Sequence, residues 1–136
     1  MTVRILQPAD WPRPPGFSNG MLAEGRVISV AGQIGWDPIT NRFADGFAAQ
    51  VEQALANIVA VLAEANATPA DIVRLTWFVT DIARYRAEAS ALGPGYRRVM
   101  GRHFPPMSVI GVSALVEPDA LVEIEATAVV GGSDGR

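Results

Sequence analysis

Glu123, Glu125 and Thr127 alternate with Val122, Ile124 and Ala126, a spacing that puts the three polar side chains on one face of a strand and the apolar three on the other. A carboxylate held in a cleft there could orient a water or relay a proton; on an open face it is an ordinary solvated charge, as most strand carboxylates are. His103 is the only histidine. A general base needs a partner to aim it, and none can be named in the sequence, so His103 reads as a loop residue preceding Phe104. All 11 basic residues are arginine and there is no cysteine. Without lysine no Schiff base can form with a carbonyl substrate or with pyridoxal phosphate. Without cysteine there is no thiolate nucleophile, thiolate ligand or disulfide. One histidine cannot build a histidine-rich metal centre within a chain, so a catalytic metal is not expected. The net charge of -3 argues against a surface for polyanions, which carries a basic excess, and nucleic acid is not an expected partner.

The elements that must position these groups follow from periodicity. Residues 1–18 are rich in proline and read as an irregular lead-in over 1–15, with Val3 to Leu6 adding a short edge strand. The run GMLAEGRVISVAGQI reads as a hairpin turning at Glu24 and Gly25. Phe47, Val51, Leu55, Ile58, Leu62 and Ala65 share one helical face, with Asp45 as N-cap and Asn66 just past the end. Thr68, Pro69 and Asp71 turn the chain into IVRLTWFVTD, a buried strand. A second helix starts near Ile82 and is broken or kinked at Gly93, Pro94 and Gly95 before Tyr96 to Met100. MSVIGVSAL and ALVEIEATAVV read as a closing antiparallel hairpin. The fold class is therefore α/β (α+β), a mixed, mostly antiparallel sheet with two helices on one face. Residues 1–136 form one domain. The chain is 49% hydrophobic and only 18% charged, and two helices cannot cover both faces of the sheet, so another copy of the chain is the expected cover. No stretch has the length and apolarity of a signal peptide or a membrane span, so a cytoplasmic protein is expected.

GFSNG, VAGQIGWD, QALANIVAVLAEA, IVRLTWFVTD, HFPPMSVIGV and VEIEATAV, in that order and from residue 16 onward, resemble the Rid (YjgF, RidA-like) family of enamine/imine deaminases. The resemblance implies a chorismate-mutase-like fold and a homotrimer whose sheets form a central barrel, with small-molecule clefts between subunits. It implies cofactor-independent hydrolysis of reactive enamines and imines to oxo acids and ammonia. It makes Glu123 the catalytic residue that handles the attacking water, and Phe17, Gly32, Tyr96 and Met107 the substrate-binding positions, with main chain at Gly32 approaching the ligand.

The same resemblance exposes a departure. Active deaminases of the family carry arginine in a segment like Phe-Pro-Ala-Arg-Ser, where the guanidinium grips the substrate carboxylate through two hydrogen bonds. Here the segment is Phe104, Pro105, Pro106, Met107, Ser108, and a thioether supplies neither charge nor donors. Losing such a pair costs about 2 to 5 kcal/mol when the partner charge is desolvated. Gly93 stands three residues before Tyr96, where the family has an asparagine. Three readings follow: a substrate without the usual carboxylate contact, another arginine (Arg97, Arg98 or Arg102) reaching in, or a non-catalytic metabolite-binding or regulatory trimer. Ribonuclease activity, attributed to some relatives, is disfavoured by the acidic, lysine-free composition.

Overall fold

The computed structural model describes residues 3–131. Its principal sheet has the strand order β3 (Arg26–Ile34), β8 (Val122–Val130), β6 (Ile72–Val79), β7 (Met107–Gly111). β8 is antiparallel to both neighbours, and β7 runs parallel along the far edge of β6. The sheet is thus mixed and mostly antiparallel, as the sequence pattern predicts.

Both expected hairpins are absent, for reasons of ladder length and connection. β2 (Gly20–Ala23) pairs with β1 (Val3–Leu6) in a separate two-stranded sheet, so the lead-in is not wholly irregular. β3 has nine residues and finds a nine-residue partner in β8, a longer ladder than four-residue β2 can offer. β7 does not pair with β8 either. The connection from β6 to β7 is helical, which is what a parallel pair requires, and the long link after β7 lets β8 enter on the other side of β6. A small pair, β4 (Trp36–Asp37) and β5 (Arg42–Phe43), follows β3.

Helix α1 (Phe47–Ala63) buries Phe47, Val51, Leu55, Ile58 and Leu62, the stripe expected from the sequence. It stops before Ala65, and Asn66 adopts a left-handed φ of 55°, as a terminating residue does. Its N-cap is Gly46, at φ 94°, and not Asp45. The second helix is broken earlier than Gly93: α2 (Ile82–Glu88) ends in a 3-10 turn over 89–91, and α3 (Leu92–Met100) starts afresh. Pro94 thus sits in the first turn of α3, where its missing N–H leaves no hydrogen bond unmade.

On β8, Val122, Ile124, Ala126, Ala128 and Val130 are buried in one core with α1, α3 and β6. No helix among the described residues is long and apolar enough to cross a membrane. Two buried amides fasten α1 to the sheet connections. Asn57 donates to the carbonyls of Ile34 (3.2 Å) and Trp36 (2.9 Å). Gln50 donates to the Asp119 carbonyl (3.2 Å) and accepts from the Leu121 amide (2.9 Å). Helix and strand end approach so closely that a Cβ on Gly35 would overlap Gln50.

Asn57→Leu keeps the branched shape but strips the donors from two strand-end carbonyls. It should lower the unfolding free energy by about 1 to 3 kcal/mol, read as a lower urea midpoint at unchanged slope; an unchanged midpoint would show that these carbonyls find other donors.

Candidate functional site

Alternation along β6 and β7 sends Leu75, Trp77, Met107 and Val109 to the helix-covered face, because Leu75 pairs with Met107 and Trp77 with Val109. Trp77, Met107 and Val109 form one wall of a cavity of about 770 Å³ that Phe17, Tyr85, Tyr96 and Phe104 also line. Phe17 is brought there from the loop before β2 by its neighbour Ser18. The buried Ser18 donates its hydroxyl to the Phe104 carbonyl (2.6 Å) and its amide to the Pro105 carbonyl (3.4 Å), tying that loop to the segment that starts β7.

Tyr96 and His103 hold the opposite wall. The Tyr96 hydroxyl donates to the His103 carbonyl (2.6 Å), its ring stacks on Phe104 at 5.6 Å, and burial pushes its phenol well above the usual range. The His103 Nε2–H in turn donates to the Ile72 carbonyl at 2.6 Å. Half-buried rather than exposed, His103 is committed to a backbone contact through that nitrogen.

Two further lining residues, Trp77 and Arg97, differ in what they offer a ligand. Trp77 is 3% exposed, with its ring edge against Tyr85, and its indole Nε1–H has no acceptor. A buried donor left unpaired costs about 1 to 3 kcal/mol. Sequence reasoning placed Trp77 only as a buried strand residue; the available signal was that a buried tryptophan needs a partner for its N–H. Arg97 is the single charged side chain among the lining residues. Of the other candidate arginines, Arg98 points away and holds Glu52 through two hydrogen bonds of 3.0 and 2.7 Å, which keep the Glu52 carboxyl below the usual range. Arg102 borders a smaller recess with Arg13 and His103.

Glu123 lies elsewhere. It projects from the face of β8 opposite the helices, cross-strand from Ile34 and Phe78, and is half-buried where Glu125 is exposed. The β3–β8 register shifts between Val30 and Gln33, and Gly32, within this bulge, lies so close to Glu123 that a Cβ would collide with its carboxylate. The expected site residues therefore form two groups within one chain: Phe17, Tyr96 and Met107 around the cavity, and Gly32 with Glu123 on the open face.

The family model for endoribonuclease L-PSP matches residues 13–130. The chain is 33% identical over 132 residues to a RutC family protein of Synechocystis, covering 96% of this chain and 98% of that one. It is 34% identical over 105 residues to the 2-iminobutanoate/2-iminopropanoate deaminase of Salmonella typhimurium, covering 77% and 80%. Among solved structures, a protein of unknown function of the Rid family from Yersinia pestis superposes with a TM-score of 0.79 at 37% identity, over 96% of this chain and 100% of the other. RidA from an Antarctic Psychrobacter superposes with a TM-score of 0.68 at 26% identity, over 93% and 99%. By these matches the chain belongs to the Rid (YjgF) family.

Proposed function

We propose that this chain is a cofactor-independent hydrolase of reactive enamines or imines that works as a homotrimer in the cytoplasm, on a substrate whose carboxylate is not held in the family's usual way. The observation that carries this reading is Met107 in the cavity wall beside Val109 and Trp77. Where the family resemblance calls for a guanidinium, the ligand meets an apolar surface.

The chemistry asks little of the protein. Water adds to the electrophilic C=N carbon, a proton moves to nitrogen, and the C–N bond breaks to leave a carbonyl and ammonia. The site has to orient the ligand, hold the water and carry the proton. Glu123 is the group for the last two tasks, accepting the proton as water attacks and returning it to the departing nitrogen. The backbone at Gly32 receives the ligand beside it.

Glu123 and the Met107 cavity face opposite sides of the sheet, so a complete site needs a second copy to bring its Glu123 face against the cavity of the first. The uncovered face supports that arrangement: Val27 (67%) and Ile110 (44%) are well exposed beside Phe78, Ser29 and Ser108.

Imines released by an amino-acid oxidase and trapped with semicarbazide provide the assay. Wild type should speed oxo-acid release from imines with bulky apolar side chains. Glu123→Gln should lose at least about a hundredfold in rate with no change in melting temperature. Met107→Arg should shift preference toward small 2-imino acids. Release indifferent to Glu123 would remove it from the mechanism, and no release from any imine would leave the metabolite-binding trimer as the reading.

Gly32→Ala forces Glu123 to move, and even a 1 Å displacement of a positioned group can cost a hundredfold. Its kcat should fall by about tenfold or more while the circular dichroism spectrum is retained; a wild-type kcat would show that this carboxylate need not hold its place.

A further inference from the structure

The cavity's remaining polar groups describe its ligand more closely than the missing arginine does. Its volume, about 770 Å³, suits a ligand of drug-like size rather than a compact imino acid. Its lining is largely aromatic and aliphatic, with one charge, Arg97. Among the described residues the ion pairs are Arg84–Glu88 and Arg98–Glu52, and Arg97 has no carboxylate partner. Gly93 explains how Arg97 reaches this place. One helical turn earlier, it carries no side chain, and a Cβ there would sit 3.2 Å from Nη1 of Arg97. The guanidinium lies back over the bare backbone at the cavity's edge.

The second observation is independent of the first. Trp77 is almost wholly buried in the sheet wall of the same cavity, with an indole N–H that lacks an acceptor. That nitrogen is fully buried, so a ligand in the cavity meets the indole as an apolar ring and not as a donor.

We infer that the cavity takes an amphipathic anion: an apolar, aromatic-sized body against Phe17, Trp77, Tyr85 and Met107, and an acidic group held at the rim by Arg97. This rests on the cavity being the substrate pocket of the proposed hydrolase. It adds that the acidic group lies across the body of the ligand from the place where the family's arginine would hold it. Arg97 is the specificity-determining residue.

Binding to the full-length protein, followed by isothermal titration calorimetry, tests this without turnover. The probes are 4-oxo-4-phenylbutanoate, which has an aryl body, a ketone and a carboxylate; its primary amide; 4-phenylbutanoate, which lacks the ketone; and pyruvate, which lacks the body. The oxo acid should bind wild type about tenfold tighter than the amide, the scale of one charge-assisted contact, and much tighter than pyruvate. Arg97→Gln should abolish the preference for acid over amide, Arg97→Lys should restore part of it, and 4-phenylbutanoate should bind about as well as the oxo acid. Equal binding of acid and amide to wild type, an acid preference that survives Arg97→Gln, or no binding of any aryl probe at millimolar concentration overturns the inference. The wild-type comparison stands even if a variant misfolds. Selective binding without hydrolysis of any imine would sink the hydrolase reading alone, and hydrolysis without acid preference would sink this inference alone.

Discussion

Every candidate site residue is placed, directly or through a neighbour, by the position of β8 between β3 and β6. A strand paired on both edges has its backbone hydrogen bonds taken up by its neighbours, so its side chains stand on a rigid support. Alternation then divides its residues: Val122, Ile124 and Ala126 complete the core beneath α1, while Glu123, Glu125 and Thr127 face outward. A slip of one residue would bury the carboxylates and expose the core. The bulge in β3 adds one refinement, setting the side-chain-free Gly32 beside Glu123. That keeps the carboxylate half-buried without a Cβ to displace it, which distinguishes it from the exposed Glu125 two residues away.

The cavity on the other face is built from polar contacts that leave little free for chemistry. Ser18, Tyr96 and His103 spend their hydrogen bonds on the carbonyls of Phe104, His103 and Ile72. These contacts join the Phe17 loop, α3 and the entry to β7 around one space. They also settle which groups can act there. Tyr96 shapes the wall through its ring, and its phenol, raised by burial, is no proton donor or acceptor near neutral pH. His103 Nε2 is likewise committed to a carbonyl, so in the proposed reaction proton transfer is assigned to a carboxylate from the opposite face.

Periodicity alone located most of the elements. The α1 stripe, the buried β6 run and the alternation of β8 are local patterns, legible because a helix or strand face is written every three to four or every two residues. Pairing was less legible. GMLAEGRVISVAGQI has the turn chemistry of a hairpin, yet β3 pairs with a strand almost a hundred positions away because the longer ladder with β8 outweighs the short local one. The parallel β6–β7 pair was hidden for a related reason: its signal is the intervening helix pair, not a pattern in either strand. Phe17, Gly32, Tyr96, Met107 and Glu123 were named through family resemblance, whereas Trp77 and the selection of Arg97 over Arg98 and Arg102 required three-dimensional neighbours. Helical spacing puts Arg97 and Arg98 about 100° apart around α3, but only the position of Glu52 tells which one is already engaged.

Moving the cation from the sheet to the helix changes what the pocket recognises. A guanidinium at position 107 would stand on the helix-covered face beside Leu75 and Val109, where a ligand carboxylate is drawn out of water and the pair gains strength from low dielectric. Affinity would then reside in the head group, and the substrate's body could be small. Arg97 is solvent-exposed, so its pull on an acid is weaker and is screened by salt. Most of the binding free energy must come from the apolar body, at about 25 cal/mol per Å² removed from water. Methionine suits that role, since its unbranched thioether adapts to irregular surfaces in a way a β-branched residue cannot. Met107, Gly93 and Arg97 are in this sense one change: the first clears the wall of charge, the second clears the helix of a side chain, and the third carries the charge to the rim.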